Sequence, residues 1–329
     1  MKKFLNQTET LLHQSLDGFG HCHADILEVD AGYRFVARRA PRHDKVALIS
    51  GGGSGHEPLH SGLVGVGMLD AACPGQIFTS PTPDQMAAAA LHVAGPKGVL
   101  YIVKNYEGDV MNFEMASEMA AGPVASVIIN DDVAVQNSTY TTGRRGIAGT
   151  LVVEKILGAA AERGADLAAL VSLGERANAA TRSMGVALSS CTVPAVGTPT
   201  FDLAADEMEM GVGIHGEPGR RRVALVSADA IVEELVTAIA DDFGALATGE
   251  ALLLVNGFGA TPAIELYLVY DAARRFLAQR GFSIARGLVG SYVTSLDMAG
   301  CSLTVTRLDR ELTELWDAPV HTAALRWGV

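Results

Sequence analysis

Cysteine is scarce in this chain and scattered. Cys22, Cys73, Cys191 and Cys301 show no C-x-x-C spacing, which argues against a disulfide framework or a zinc ribbon and leaves buried thiols as the default reading. No apolar run approaches the ~18 to 20 residues that span a bilayer; Ala87 to Val93 is short and interrupted by His92, so no membrane role is expected. Basic charge is in deficit, with 25 Lys and Arg against 37 Asp and Glu and a net charge of -12. There is no basic stripe to hold a phosphate backbone, and nucleic acid is not an expected partner. Lys2 and Lys3 resemble a signal n-region, but the chain turns polar at Asn6-Gln7-Thr8 without an apolar stretch, so a cytoplasmic protein is expected. Aromatic residues make up only 6%, whereas hydrophobic residues reach 49% and Gly and Ala are abundant, the composition of a compact α/β protein. The 329 residues suggest two domains and a site between them.

The recurring unit is an apolar β-rich run, a Gly-rich or polar turn and a helical stretch, the alternation of a parallel sheet covered by helices. Lys45 to Ile49, Gly98 to Val103 and Ala125 to Ile129 read as strands that open into loops. Ile147 to Ala161 spaces its apolar residues helically, with Gly164 as a stop. The Pro-, Thr- and Gly-rich stretch from Cys191 to Pro199 suits a domain crossover, giving an N-terminal α/β domain of residues 1–190 and a C-terminal one of 191–329. In the second block a helix is expected over Ala230 to Ala240 and a strand over Ala251 to Val255. Thr261 and Pro262 read as N-cap and first position of a helix through Leu277, and the tail from Gly287 to Val305 as closing strands.

Open α/β sheets bind ligands beyond the carboxyl ends of their strands, so the loops after Ile49, Val103 and Ile129 should share one edge. Glycines from Gly51 to Gly55 allow backbone N–H groups to converge on an oxygen-rich ligand, yet the run lacks the Lys-Ser/Thr of a Walker loop and the spacings of G-x-G-x-x-G and G-x-S-x-G. His56 directly after it could hold or move a proton near a ligand; the plainer reading is a capping or core histidine. Lys104 and Asp109 put a cation and a carboxylate on one loop, either a site or a surface ion pair. His215 lies in Gly213-Ile214-His215-Gly216-Glu217-Pro218-Gly219, a glycine frame that exposes the ring, although a lone histidine is more often structural. Asp131-Asp132 reads as a solvated acidic loop, and Arg144-Arg145 as capping, ion-pairing or phosphate-facing. His21-Cys22-His23 carries three metal-ligand types, but strand neighbours face opposite ways and a polar turn is the expectation.

Taken in order, Ile49 to Pro58, Cys73 to Thr82, Lys104 to Asp109, Gly211 to Gly219 and Thr294 to Met298 resemble the substrate-binding K subunit of the dihydroxyacetone kinases. The likeness runs from about Lys45 to His321 and is weakest over the first forty residues. The resemblance implies a two-domain α/β fold of the DAK1/DegV-like type, each domain a sheet flanked by helices. It implies that His215 captures a short ketose such as dihydroxyacetone as a hemiaminal, with Asp109 and His56 in acid/base roles and Gly53, Ser54, Gly55 and Lys104 binding the substrate. It further implies a homodimer with no cofactor held tightly on this chain, a separate DhaL-type subunit carrying ADP or ATP with Mg²⁺, and in some systems a phosphotransferase component. Gly216 stands where other members carry Asn, which keeps a four-carbon sugar such as erythrulose open. A ketose sensor that co-activates transcription and a lipid-binding protein of the related fold are the rival expectations.

Overall fold

The computed structural model describes residues 2–135, 141, 143–217 and 219–329; Pro218, expected to stiffen the His215 segment, lies outside the described residues. After α1 (Leu11–Cys22) the chain lays down β1 (Leu27–Val29), β2 (Val36–Arg38), β3 (Ala47–Ser54), the short β4 (Gly65–Val66) and β5 (Ala71–Ile77). Then follow α2 (Pro83–Val93), β6 (Val99–Lys104), α3 (Glu107–Glu118) and β7 (Val124–Ile129). Strand order is β1-β2-β5-β3-β6-β7, parallel from β5 through β7 and antiparallel at the β1 and β2 edge.

Two helices, α4 (Gly149–Glu162) and α5 (Leu167–Ala179), lead to the second half: β8 (Thr181–Ala187), β9 (Glu207–Met210), β10 (Arg221–Ala224), α6 (Ala228–Phe243), β11 (Gly249–Gly257), α7 (Ala263–Gln279), β12 (Phe282–Gly290) and β13 (Gly300–Arg307). Its order is β10-β9-β8-β13-β11-β12, and among the pairs described only β11 and β12 run parallel. Finally α8 (Arg310–Trp316) precedes β14 (Val320–Thr322) and β15 (Arg326–Trp327), which form a small third sheet with β4.

The α/β class and the helix-flanked sheets stand as expected, while several details differ for physical reasons. The parallel-sheet expectation holds only for β5 through β7 of the first sheet and for the β11 and β12 pair of the second, because an apolar run does not reveal which neighbour it pairs with. Sheet membership does not follow a cut at 190/191: β8 already belongs to the second sheet, and β14 returns to β4. The glycine run is not a loop, since β3 continues through Gly51, Gly52 and Gly53 to Ser54 in register with β5. Thr261 does not cap α7; Pro262 is the N-cap, and the Thr261 hydroxyl exchanges hydrogen bonds of 2.7 and 2.8 Å with the Gly300 backbone. His21-Cys22-His23 lies at the C-terminal end of α1, with Cys22 exposed, rather than in a polar turn. Among the described residues no helix is long and apolar enough to cross a membrane.

Helix α4 explains how the halves are joined. Every residue from Gly149 to Ala161 is buried, because the helix is in contact with β3 and β6 on one side and β8 and β13 on the other. A helix covered all round needs no polar face, and this one carries almost none. Gly164 follows its last turn in a left-handed conformation, as a helix stop should. At Gly158 the helix meets the backbone of Gly67 and Met68 so closely that a Cβ would overlap the Gly67 oxygen and the Met68 Cα. Gly158→Ala should therefore lower unfolding stability by about 1–3 kcal/mol, read as a shift in the denaturant midpoint at unchanged slope.

Candidate active site

The cleft opens where the carboxyl ends of β3 and β6 face the hairpin between β9 and β10, a cavity of about 620 Å³. Its wall includes Gly53, Phe78, Tyr106, Asp109, Thr200 and His215. Of the expected residues, Gly53, Asp109 and His215 line it, with His56 packed against His215 and Lys104 against Asp109. Helix α3 starts directly after β6, and Asp109 is its third residue, where the helix N-terminus favours a carboxylate. Its Oδ2 lies 3.3 Å from Lys104 Nζ, at the end of β6; its Oδ1 is buried without a hydrogen-bond partner among the described residues. Lys104 and Asp109 are 1% and 3% exposed, so this is a buried pair with Asp109 in the cavity wall, not a surface ion pair on a turn.

The two histidines are held in defined tautomers by their neighbours. His56 Nδ1 lies 2.7 Å from the Thr294 carbonyl oxygen, which can only accept, so the proton sits on Nδ1 and Nε2 presents a lone pair. That Nε2 is buried and unpartnered. Burial, reinforced by His215 and Lys104, pushes the His56 pKa well below the ordinary histidine value and keeps the ring neutral. His215 sits at the tip of the β9–β10 hairpin, with Nδ1 3.0 Å from Glu217 Oε1 and its backbone N–H 2.9 Å from Glu217 Oε2. Burial would raise the Glu217 pKa, but His215 and Arg145 outweigh it and hold it at about 2, so this carboxylate stays charged and accepts from Nδ1–H. His215 lines the cavity, and among the described residues no hydrogen bond engages its Nε2. The two imidazoles meet edge to face at 4.7 Å, with the Tyr106 ring 4.6 Å from His215 and Phe78 stacked on His56 at 5.0 Å.

Ser54 and Gly55 are placed differently. The Ser54 hydroxyl is spent on the Gly75 carbonyl at 2.7 Å and the Gly55 N–H on the Glu57 carboxylate at 2.9 Å, and neither residue lines the cavity. Gly53 does line it. Phe78 and Leu296, both at positive φ, close on Gly55 from either side and fix the turn into His56.

Asp131 and Asp132 are fully buried, contrary to the solvated loop expected of adjacent acids. Asp131 accepts from Ile147 N, Gly149 N and Ser183 Oγ at 2.8, 2.7 and 2.5 Å, holding the start of α4 against β8. Asp132 pairs with the buried Arg145 at 2.6 Å, and Arg144 with Asp242. Glu217, Phe78 and Tyr106 went unassigned in the sequence although each lies inside a motif quoted above. The spacing of His215 and Glu217 alone could have suggested a carboxylate that orients the ring. Among the described residues no group of three or more His, Cys, Asp or Glu side chains could hold a metal ion.

Comparison with known proteins places the chain among relatives. The dihydroxyacetone-binding subunit DhaK of the PEP-dependent dihydroxyacetone kinase from Escherichia coli K12 is 47% identical over the whole of both chains. The dihydroxyacetone kinase operon co-activator Dha-DhaQ superposes with a TM-score of 0.88 at 34% identity, covering 94% of this chain and 96% of that one. The dihydroxyacetone kinase of C. freundii in complex with AMP-PNP and Mg²⁺ also gives 0.88 at 34% identity, and this chain covers 61% of that longer one. The Dak1 domain model matches residues 17–324, and the chain belongs to the Dak1 domain family.

Proposed function

We propose that this chain is the substrate-binding subunit of a dihydroxyacetone-type kinase, which holds a short ketose on His215 while its terminal hydroxyl is phosphorylated. The observation that carries this reading is the free Nε2 of His215, oriented through Glu217, in the same cavity wall as Asp109 with its free Oδ1. The Nε2 lone pair attacks the carbonyl carbon; the C–N bond forms as the C=O π pair moves to oxygen, which takes up a proton. Positive charge that develops on the ring is met by the Glu217 carboxylate, and the proton lost from Nδ1 balances the one gained by the oxygen, so the adduct is a neutral hemiaminal and Glu217 ends ionised as it began. Ketones and aldehydes undergo this addition and glycerol does not, which selects a carbonyl compound from among polyols.

Asp109 Oδ1 accepts the proton of the terminal hydroxyl as that oxygen becomes a nucleophile, a role for which a buried carboxylate oxygen with no other partner is suited. Neutral His56 accepts a hydrogen bond from a substrate hydroxyl through Nε2, and Lys104 steadies the Asp109 carboxylate. The phosphoryl group comes from a nucleotide carried with Mg²⁺ by a separate L-type subunit, which supplies the cationic stabilisation of transfer. That subunit is recharged by a phosphotransferase component or by exchange with ATP, and the K-type chain works as a cytoplasmic homodimer. A sensor needs capture alone, and the shape shared with a co-activator supports that second reading. A free proton acceptor beside the captured sugar favours the kinase.

Intact-protein mass spectrometry with dihydroxyacetone, and with erythrulose because the cavity has room for a fourth carbon, should find an adduct on the native chain and none on His215→Ala. Asp109→Asn should keep the adduct but lose phosphoryl transfer in the presence of the L-type subunit, ATP and Mg²⁺ by about 10²- to 10⁴-fold; unimpaired turnover would remove Asp109 from this role. Glu217→Gln can donate to Nδ1 and so favours the wrong tautomer. It should weaken adduct formation on the order of tenfold or more, measured as ketose concentration for half-maximal labelling.

A further inference from the structure

Behind Lys104 lies a chain of buried polar groups, His60, Glu154 and Ser50, that the reaction above leaves unused. Lys104 Nζ is 3.2 Å from the Gly51 carbonyl oxygen, 3.3 Å from Asp109 Oδ2 and 3.0 Å from His60 Nε2, so three acceptors match its three hydrogens. Gly52 makes the arrangement possible, since a Cβ there would overlap the ammonium group. On its other edge His60 Nδ1 lies 2.6 Å from Glu154 Oε1, on α4, and 3.0 Å from Ser50 Oγ. The Ser50 hydroxyl already donates to the Ile102 carbonyl at 2.7 Å, leaving its oxygen to accept. An ammonium group can only donate. The Lys104 edge therefore demands one tautomer, neutral with its proton on Nδ1, where the Glu154 and Ser50 oxygens can accept it.

We propose that His60, held by Glu154, is a positioning residue for phosphoryl transfer: its Nε2 takes one ammonium hydrogen of Lys104 and so keeps another directed at Asp109 Oδ2. The proposal rests on the reading of Asp109 as the proton acceptor. Neutral states fit the surroundings: burial, with Lys104 and His56, drives the His60 pKa well below normal, and burial raises that of Glu154 to about 8. Ser50, Lys104, His56 and Glu154 are the polar side chains that act on the ring, from β3, β6, the turn after β3 and α4. His60 is 5% exposed and does not line the cavity, so it acts on the reaction only through Lys104.

Without the acceptor, one ammonium hydrogen is stranded in a dry site and Lys104 turns to satisfy it, loosening Asp109. The test uses the full chain with dihydroxyacetone, purified L-type subunit, ATP and Mg²⁺, and compares His60→Leu, His60→Gln and Asp109→Asn. In His60→Leu, kcat should fall on the order of 10- to 100-fold, while KM for dihydroxyacetone and the adduct on His215 stay within about threefold of native. His60→Gln places an amide oxygen near the position of Nε2 and should recover most of the lost kcat. Equal loss in both His60 variants, or loss of kcat and adduct together without rescue by Gln, would mean a merely structural histidine and overturn the proposal. Native turnover in His60→Leu beside an inactive Asp109→Asn sinks the positioning role alone, whereas turnover by Asp109→Asn sinks the parent reading and this one with it.

Discussion

An ammonium group taken out of water must have all three of its hydrogens matched, and the site of this protein is organised around meeting that demand at Lys104. One partner is a carboxylate, one a backbone carbonyl and one an imidazole. The requirement accounts for Gly52 in β3, which leaves space for the lysine head, and for α3 beginning shortly after β6, which returns Asp109 to its charge. With Oδ2 so occupied, Oδ1 is the carboxylate oxygen left for a ligand.

The same economy shapes the two histidines. Each directs its Nδ1 proton at an oxygen, the Thr294 carbonyl for His56 and the Glu217 carboxylate for His215, and among the described residues neither Nε2 has a hydrogen-bond partner. His56 comes from the first half and Thr294 from the second, and the segment carrying Thr294 and Leu296 also hydrogen-bonds the backbone of His56 and Gly55. The hydrogen bonds that set the tautomer are thus among those that join the halves. Meanwhile α4, buried between the sheets, contributes Glu154 from its middle and receives Asp131 at its start.

Much of this was legible in residue order. Lys104 and Asp109 stand five apart around a strand-to-helix turn, His215 sits between glycines, and His56 directly follows the glycine strand, so their candidacy needed no coordinates. Misreadings arose where a residue's meaning depends on what packs against it. Asp131 and Asp132 look like a solvated pair until a helix N-terminus and a buried arginine are brought to them from elsewhere in the chain. Ser54 and Gly55 belong to the right motif, but the Ser54 hydroxyl is bonded to Gly75 on β5 and the Gly55 N–H to the nearby Glu57 carboxylate.

Sequence alone determined the α/β class, the helix stop at Gly164 and the residue types able to attack a carbonyl or accept a proton, because these follow from local periodicity and side-chain chemistry. Only the tertiary structure decided strand order, the return of the C-terminus to β4, the tautomers of His56 and His215, and the partnership of His60 with Lys104 and Glu154. Each of those pairs groups between about 40 and 260 residues apart or turns on a single hydrogen-bond direction. Spacing along a chain carries no record of such contacts; burial, which charges each unpaired polar group a free-energy penalty, selects them.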